Sequence, residues 1–373
     1  DKEIAKMSIN EALKDINSSL GVNIDKAIIN VPMYDSEYMV NEGSTTITNE
    51  NKVVTGNDMV NALQGSIYNK IPKSRELVTI QPIKYNVDDE KKDLLNPRGI
   101  RADKLYVTSM CMTVPKKNIY VVISILQELN IEVIDILFGI IGDYYEFKNK
   151  EISNGVCGVI DIGSDKTEVA VFKNDIMFNS NVIKKGSNSI DKDISYIYNI
   201  SNNQAKRIKE TFALAHKEFA STSDIYEITN KPGIKTKINQ YEISEIVNSR
   251  LKEMLENAKK SLNDLTKKEI SYIIVSGGIV NMPGFEILCK EVIGDNIIIK
   301  SINTIGARDN SYSEAIGMIR YFIDKLSIRG KDYTMFDDDK YFDLVENKRN
   351  NINNGNTSVF GKLFGYLFDN KED

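Results

Sequence analysis

The sequence predicts an α/β protein of two or more domains, and three observations lead there. With 373 residues, 41% of them apolar and 27% charged, the chain has material for two sizeable cores. It opens on an amphipathic helix that runs into a buried strand. Further on, three closely spaced strands and a separate apolar strand ending in a glycine pair lie within one later stretch of mixed helices and strands.

Taken in order, Ile4, Ile9, Ala12, Leu13 and Ile16 recur at helical spacing and stop at Gly21, so a helix is predicted over residues 1–20. Residues 26–31 (KAIINV) form a short apolar strand closed by Pro32. From about 42 to 134 the pattern is that of an inserted unit with its own small core. It has a strand at 45–48, a helix at 55–65, an alternating strand at 76–87, a turn at Pro97–Arg98–Gly99, a strand at 104–112 and a helix at 114–129. At Val156 a meander begins: VCGVIDIG, EVAVF and IMFNSNVI, joined by tight polar turns. Helical segments are predicted over 190–219, a loop around Pro232, a long helix over 243–262 and a strand at 272–276. Residues beyond 330 turn acidic and asparagine-rich, the composition of a linker, and end in a hydrophobic tip.

Composition narrows the function classes. The net charge of −5 leaves no basic excess for nucleic acid. Cys111, Cys157 and Cys289 form no CxxC pair, which excludes a zinc ribbon or disulfide framework. His216, the one histidine, sits in a polar stretch and is expected to be a solvated surface residue. No apolar run approaches the roughly 20 residues of a spanning helix, so the expected location is cytoplasmic.

Two constellations carry chemistry. In VIDIGSDKTEVAVF a strand delivers Asp161 to its end, and Gly163 permits a turn whose N–H groups can point into a shared phosphate-holding concavity, with Ser164 and Thr167 beside it. Asp161 would then hold Mg2+, directly or through water. A plain Asp-x-Gly hairpin turn explains the same residues. In IIVSGGIVNMPGF an apolar strand reaches Gly277 and Gly278, where a flat base can approach the backbone; a strand-to-helix turn that uses glycine for shape is the alternative.

An Asp-x-Gly hairpin followed about 115 residues later by strand, Gly-Gly and helix resembles the second half of the actin and sugar-kinase (ASKHA) superfamily. Within it the chain resembles FtsA along nearly its whole length. Residues 55–63 resemble the "ITxxDV" helix start of the FtsA-specific subdomain 1C, LVTIQPIKYNV (77–87) its "hxxPxxYxxD" strand and NPRGIRADKL (96–105) its "NPxGMxGxRL" turn. KKGSNSIDKDIS (184–195) resembles "GGxxITxDIA", and residues 204–209 resemble "xAExLK". The resemblance implies an actin-like two-lobed α/β fold with an inserted 1C subdomain, whose interdomain cleft takes ATP and Mg2+. It adds Gly186 and Lys209 to the nucleotide contacts. Ser187 stands where the family has a second glycine, and Lys206 where it has a glutamate that approaches the ribose or base. The family's first phosphate loop precedes the opening helix, so the fold is expected to lack its first N-terminal strands.

The implied organisation is subdomain 1A over 1–41, 1C over 42–134, a return to 1A over 135–151, 2A and 2B over 152–330 with 2B at about 201–260, a linker over 331–356 and a targeting helix over 357–369. In that last segment Val359, Phe360, Leu363, Phe364, Leu367 and Phe368 share one helical face, suited to the membrane interface. Docking of the same face onto the protein's own core is the alternative. On the long helix, Arg250 and Glu253 resemble the pair in the family's "IxxRxxEI" helix that engages the FtsZ C-terminal peptide. Self-assembly into filaments, other division proteins as partners and residence on the cytoplasmic face of the membrane at the septum follow from the same resemblance. Any hydrolysis is expected to be slow and regulatory. A PilM-like pilus scaffold and a kinase or phosphatase on the same fold are the competing readings.

Overall fold

The computed structural model describes residues 2–328 apart from 22, 89, 91 and 232. The chain divides into two compact units, residues 1–139 with 318–373 and residues 140–317.

The first unit begins with α1 (Lys2–Leu20) and β1 (Lys26–Asn30), continues through β2 (Glu37–Thr46), α2 (Gly56–Ile67), β3 (Arg75–Val87), β4 (Lys104–Pro115) and α3 (Lys116–Glu128), and returns to β5 (Glu132–Leu137). β1 and β5 pair in parallel, with Lys26 opposite Glu132 and Asn30 opposite Leu137. The inserted segment forms a separate antiparallel sheet in the order β2-β4-β3. β4 is central because Val107, Met110, Cys111, Met112 and Val114 are all buried. Thr55 and Asp58 form a capping box that fixes the start of α2. This helix packs so closely on β2 that a Cβ at Gly43 would collide with the Ser66 backbone and the Ala62 carbonyl. β2 starts at Glu37, eight residues before the predicted strand. Its alternate residues are exposed, which hides the apolar signal.

The second unit runs through α4 (Gly139–Phe147, beginning one residue before it), α5 (Lys150–Asn154), β6 (Val156–Ile162), β7 (Thr167–Lys173), β8 (Ile176–Ile183), α6 (Asn188–Tyr198), α7 (Asn202–Thr211), β9 (Ile225–Thr229), β10 (Lys235–Asn239), α8 (Gln240–Leu265), β11 (Tyr272–Ser276), α9 (Phe285–Ile293) and β12 (Ile297–Ile298). Its main sheet has the order β12-β11-β6-β7-β8. β6, β7 and β8 are the meander read from the sequence, and β11 joins β6 in parallel. α8 supplies much of the core through Val247, Leu251, Met254, Leu255, Ala258 and Leu262. Burying six such side chains is worth roughly 1.5 to 3 kcal/mol for each large one before entropy is counted. α10 (Ser313–Ser327) gives residues 313–317 to the second unit and 318–327 to the first.

One strand pair goes unread in the sequence and one expectation fails here. The stretch around Pro232, read as a loop, is flanked by the antiparallel pair β9 and β10; only Ile228 and Ile238 are buried in these strands, too sparse a pattern to read. His216, read as solvated, is buried. The Gly284 backbone leaves it little room, the Phe219 ring lies 4.9 Å away, and Nε2 is 2.9 Å from Glu291 Oε1.

Candidate functional site

The two glycine-bearing constellations, far apart in sequence, are neighbours in the second unit. Parallel pairing of β11 with β6 sets Ser276 beside Asp161, so the two strands end side by side. Gly277 follows with φ +97°, a conformation that favours glycine. A Cβ there would meet the Ile162 carbonyl and come within 2.9 Å of Asp161 Oδ1. The hairpin after Asp161 closes with Gly163 N donating to the Lys166 carbonyl at 3.0 Å.

A third segment sits on that hairpin. Ser187 N donates to Gly163 O at 2.9 Å and Asn188 N to Ser164 O at 2.8 Å, while a Cβ at Gly186 would strike both of those carbonyls. Gly186 is therefore needed for the close approach of two loops. Thr167 is buried and its hydroxyl donates to Lys185 O at 2.8 Å, so it ties the loops together. Lys209 is buried as well; its ammonium lies 2.8 Å from Asp191 Oδ1 and 3.4 Å from Ser187 O, supporting the same loop from α7. Gly278 lies beside Ser311, whose neighbour Asp309 accepts from Asn281 at 2.9 Å. Asp161, Gly163, Ser164, Gly186, Gly277 and Gly278 thus converge, whereas Thr167 and Lys209 act as braces. Lys206 is exposed on α7, 3.9 Å from Glu210.

The site is acidic. Asp161 and Glu168 face each other across the β6–β7 ladder, and Asp143, from α4, is buried with Oδ1 accepting from Ser313 Oγ at 2.6 Å. Burial pushes Asp161 up to about 7, helped by the charges of Glu314 and Glu168 and opposed by Lys166. Burial first, then the Asp161 charge, raises Asp143 well above the usual carboxylate range, and its Oδ2 has no hydrogen-bond partner. Asp143 escaped the sequence reading, although a lone acid in the apolar run FGIIGDYY is a usable signal. Asp161, where Mg2+ is expected, offers one carboxylate, which suits an ion whose other ligands are waters and phosphate oxygens. The Thr167 hydroxyl is engaged, the Lys166 ammonium is seated on Glu168, and among the described residues no three His, Cys, Asp or Glu side chains are grouped to hold a metal ion.

Comparison with known proteins resolves the family. The model of the cell division protein FtsA matches residues 158–317, and the model of the SHS2 domain inserted in FtsA matches residues 35–113. The chain belongs to the FtsA family. It is 26% identical over 326 residues to the cell division protein FtsA of Bacillus subtilis (strain 168), covering 87% of this chain and 74% of that one. With FtsA of Enterococcus hirae it shares 22% over 319 residues, 84% of this chain and 71% of the relative. Among solved structures, a PilM–PilN type IV pilus biogenesis complex aligns with a TM-score of 0.53 at 12% identity, covering 84% of each chain. The fold is actin-like with the FtsA-type inserted domain.

The pair that resembles the FtsA peptide-binding helix motif lies on α8 and is already engaged. Arg250 Nε and Nη2 donate to Asp193 Oδ2 and Oδ1 at 2.6 and 3.0 Å, and Nη1 donates to Glu253 Oε2. Lys185, from the loop seated on the hairpin after Asp161, lies 2.5 Å from Glu253 Oε1. The resulting chain of charges, Asp193, Arg250, Glu253 and Lys185, joins α6, α8 and that loop. Hydrogen bonding from Lys185, followed by the Arg250 charge, holds Glu253 below its usual range. No sequence spacing reveals Asp193 or Lys185 as members, because they meet Arg250 and Glu253 only through tertiary packing. Val359, Phe360, Leu363, Phe364, Leu367 and Phe368 lie outside the described residues. No described helix is long and apolar enough to cross a membrane.

Proposed function

We propose that this chain binds ATP at the convergent loops of its second unit, engages the C-terminal peptide of FtsZ through α8, and attaches to the cytoplasmic membrane through residues 357–369, linking the division ring to the membrane at the septum. The observation that carries the nucleotide reading is the seating of Gly277 against the Ile162 carbonyl and of Gly186 against those of Gly163 and Ser164: three close backbone approaches around one strand end. Such a cluster gathers three glycine-bearing turns at one strand end, a setting that suits phosphate and base. Filament formation and contacts with other division proteins belong to this reading through the family.

Calorimetric titration of the purified protein with ATP tests the nucleotide site; absence of heat at millimolar nucleotide rejects it. For the peptide face, Arg250→Glu should weaken binding of a fluorescent FtsZ tail peptide at least about tenfold, because the substitution places a like charge before the acidic end of the peptide. An unchanged titration removes α8 from the reading. For the tip, Phe364→Glu is expected to leave the protein in the supernatant after liposome sedimentation. A charge would replace an aromatic side chain whose burial is worth roughly 1.5 to 3 kcal/mol. Retained sedimentation refutes the anchor.

A further inference from the structure

The charges on α8 do not stop at Glu253. Counting on from Arg250 in steps of three and four gives Glu253, Asn257, Lys260 and Asp264, one stripe of a single helix. A groove beside the later part of this stripe is lined by Asn257, Lys260 and Asp264 of α8 and by Asn181, Lys184 and Lys185 from β8 and the loop after it. Lys260 is exposed and forms no ion pair among the described residues. Lys185 is the residue already seated on Glu253, so the groove begins where the Arg250–Glu253 pair ends. Although β8 is an edge strand, the groove does not invite a partner strand. The Ser180 and Val182 amides donate to Asn179 Oδ1 and Asn181 Oδ1 at 3.0 and 2.9 Å, and an added strand would need those donors. Charge is what the groove offers.

Along this face the order is cation, anion, cation: Arg250, then Glu253, then Lys185 with Lys260. A complementary ligand reads acid, base, acid. On the reading of α8 as the FtsZ-tail face, on which this inference rests, the first two groups are the acidic and basic residues of the peptide. The third follows from the partner being a C-terminal peptide, because its chain ends in an α-carboxylate whatever its sequence. We infer that Lys185 and Lys260 capture the terminal carboxylate of the bound peptide. In the free protein Glu253 holds Lys185, with both side chains partly exposed. A basic peptide residue arriving at Glu253 displaces that ammonium, and the released Lys185 turns to the carboxylate, so neither charge is left unpaired. From Arg250 to Lys260 the helix rises about 15 Å, the span of about four or five extended residues, which is room for an acid, a base and a chain end. Asp264 at the far end of the stripe repels any further acidic group, so the groove takes one carboxylate and not an acidic run.

The test uses the full chain and the FtsZ tail peptide labelled at its N-terminus, made once with a free C-terminus and once amidated, in fluorescence anisotropy. The wild type should bind the free acid about tenfold more tightly than the amide, the gain expected for a charge-assisted contact. Lys260→Met and Lys185→Met should each narrow that preference to about threefold or less, while Lys260→Arg, which keeps the charge, should retain it. Equal wild-type affinity for the two peptides, with both weakened by Arg250→Glu, overturns the inference and leaves α8 as the peptide face. A tenfold preference that persists in both methionine variants overturns it too, because the carboxylate is then held elsewhere. Failure of both peptides to bind the wild type rejects the reading of α8 itself.

Discussion

In the first unit Lys325 closes its ammonium on both carboxylate oxygens of Asp135, and both side chains are shut away from water. In the second unit Arg250 makes an equally direct contact with Asp193, yet both partners keep about a quarter of their side-chain surface exposed and the chain of charges continues to Glu253 and Lys185. The first pair is surrounded by packing: Phe322 and Leu326 join Ile28 and Ile134, and the Tyr321 hydroxyl lies 2.9 Å from Thr79 Oγ1. Burial separates the two roles. A sealed pair can only hold its element in place, whereas a half-open chain of alternating charges can exchange one partner for a ligand.

The largest effect should come from breaking the sealed pair. Lys325→Met leaves Asp135 buried without its cation and should cost about 3–5 kcal/mol, read from urea unfolding, with part recovered in the Asp135→Asn/Lys325→Met double variant. A loss below about 1 kcal/mol would place Asp135 in contact with water and erase the contrast. Next comes Asp161, half-buried and with no cation among the described residues seated on it as Lys325 is on Asp135. Its folded-state pKa of about 7 lies above its usual value, so the folded protein binds more protons between those limits. Stability contributed by this group is therefore present at low pH and falls as pH rises towards 7. Asp161→Asn should flatten that slope and stabilise the protein at pH 8 by roughly 2 kcal/mol, a value reduced from full linkage because the residue is partly open to solvent.

Legibility in the sequence follows the same division between local and tertiary causes. The meander β6, β7 and β8 and the strand before Gly277 are readable because short apolar runs are bounded by turn residues such as Asn174 and Asp175, both at positive φ. Gly163 and Gly277 are readable because close backbone approach demands glycine at defined places, and Gly186 through the family resemblance. β9 and β10 are not, since a two-stranded ribbon that buries one isoleucine per strand leaves almost no pattern. Nor does spacing disclose that Glu168 lies opposite Asp161, that Asp193 fills the Arg250 fork, or that His216 is enclosed by Phe219 and the Gly284 backbone. Each of those depends on which elements pack together.

The smallest expected effect sharpens the comparison from its open side. Asp193 occupies two donors of Arg250 that an acidic peptide group would otherwise use. Asp193→Ala should therefore cost under about 1 kcal/mol of stability, as for other partly exposed pairs, and should tighten binding of the FtsZ tail peptide about threefold by freeing the guanidinium fork. Weaker binding in this variant would show that Asp193 instead holds Arg250 in its binding geometry, so that orientation outweighs competition. A stability loss matching that of Lys325→Met would show that the fold depends on the α8 charges no less than on the sealed pair, and the distinction by burial would fail. Fluorescence anisotropy and urea unfolding on the same preparation measure both quantities, and their opposite signs, slightly less stable and more tightly bound, are what an exchangeable ion pair requires.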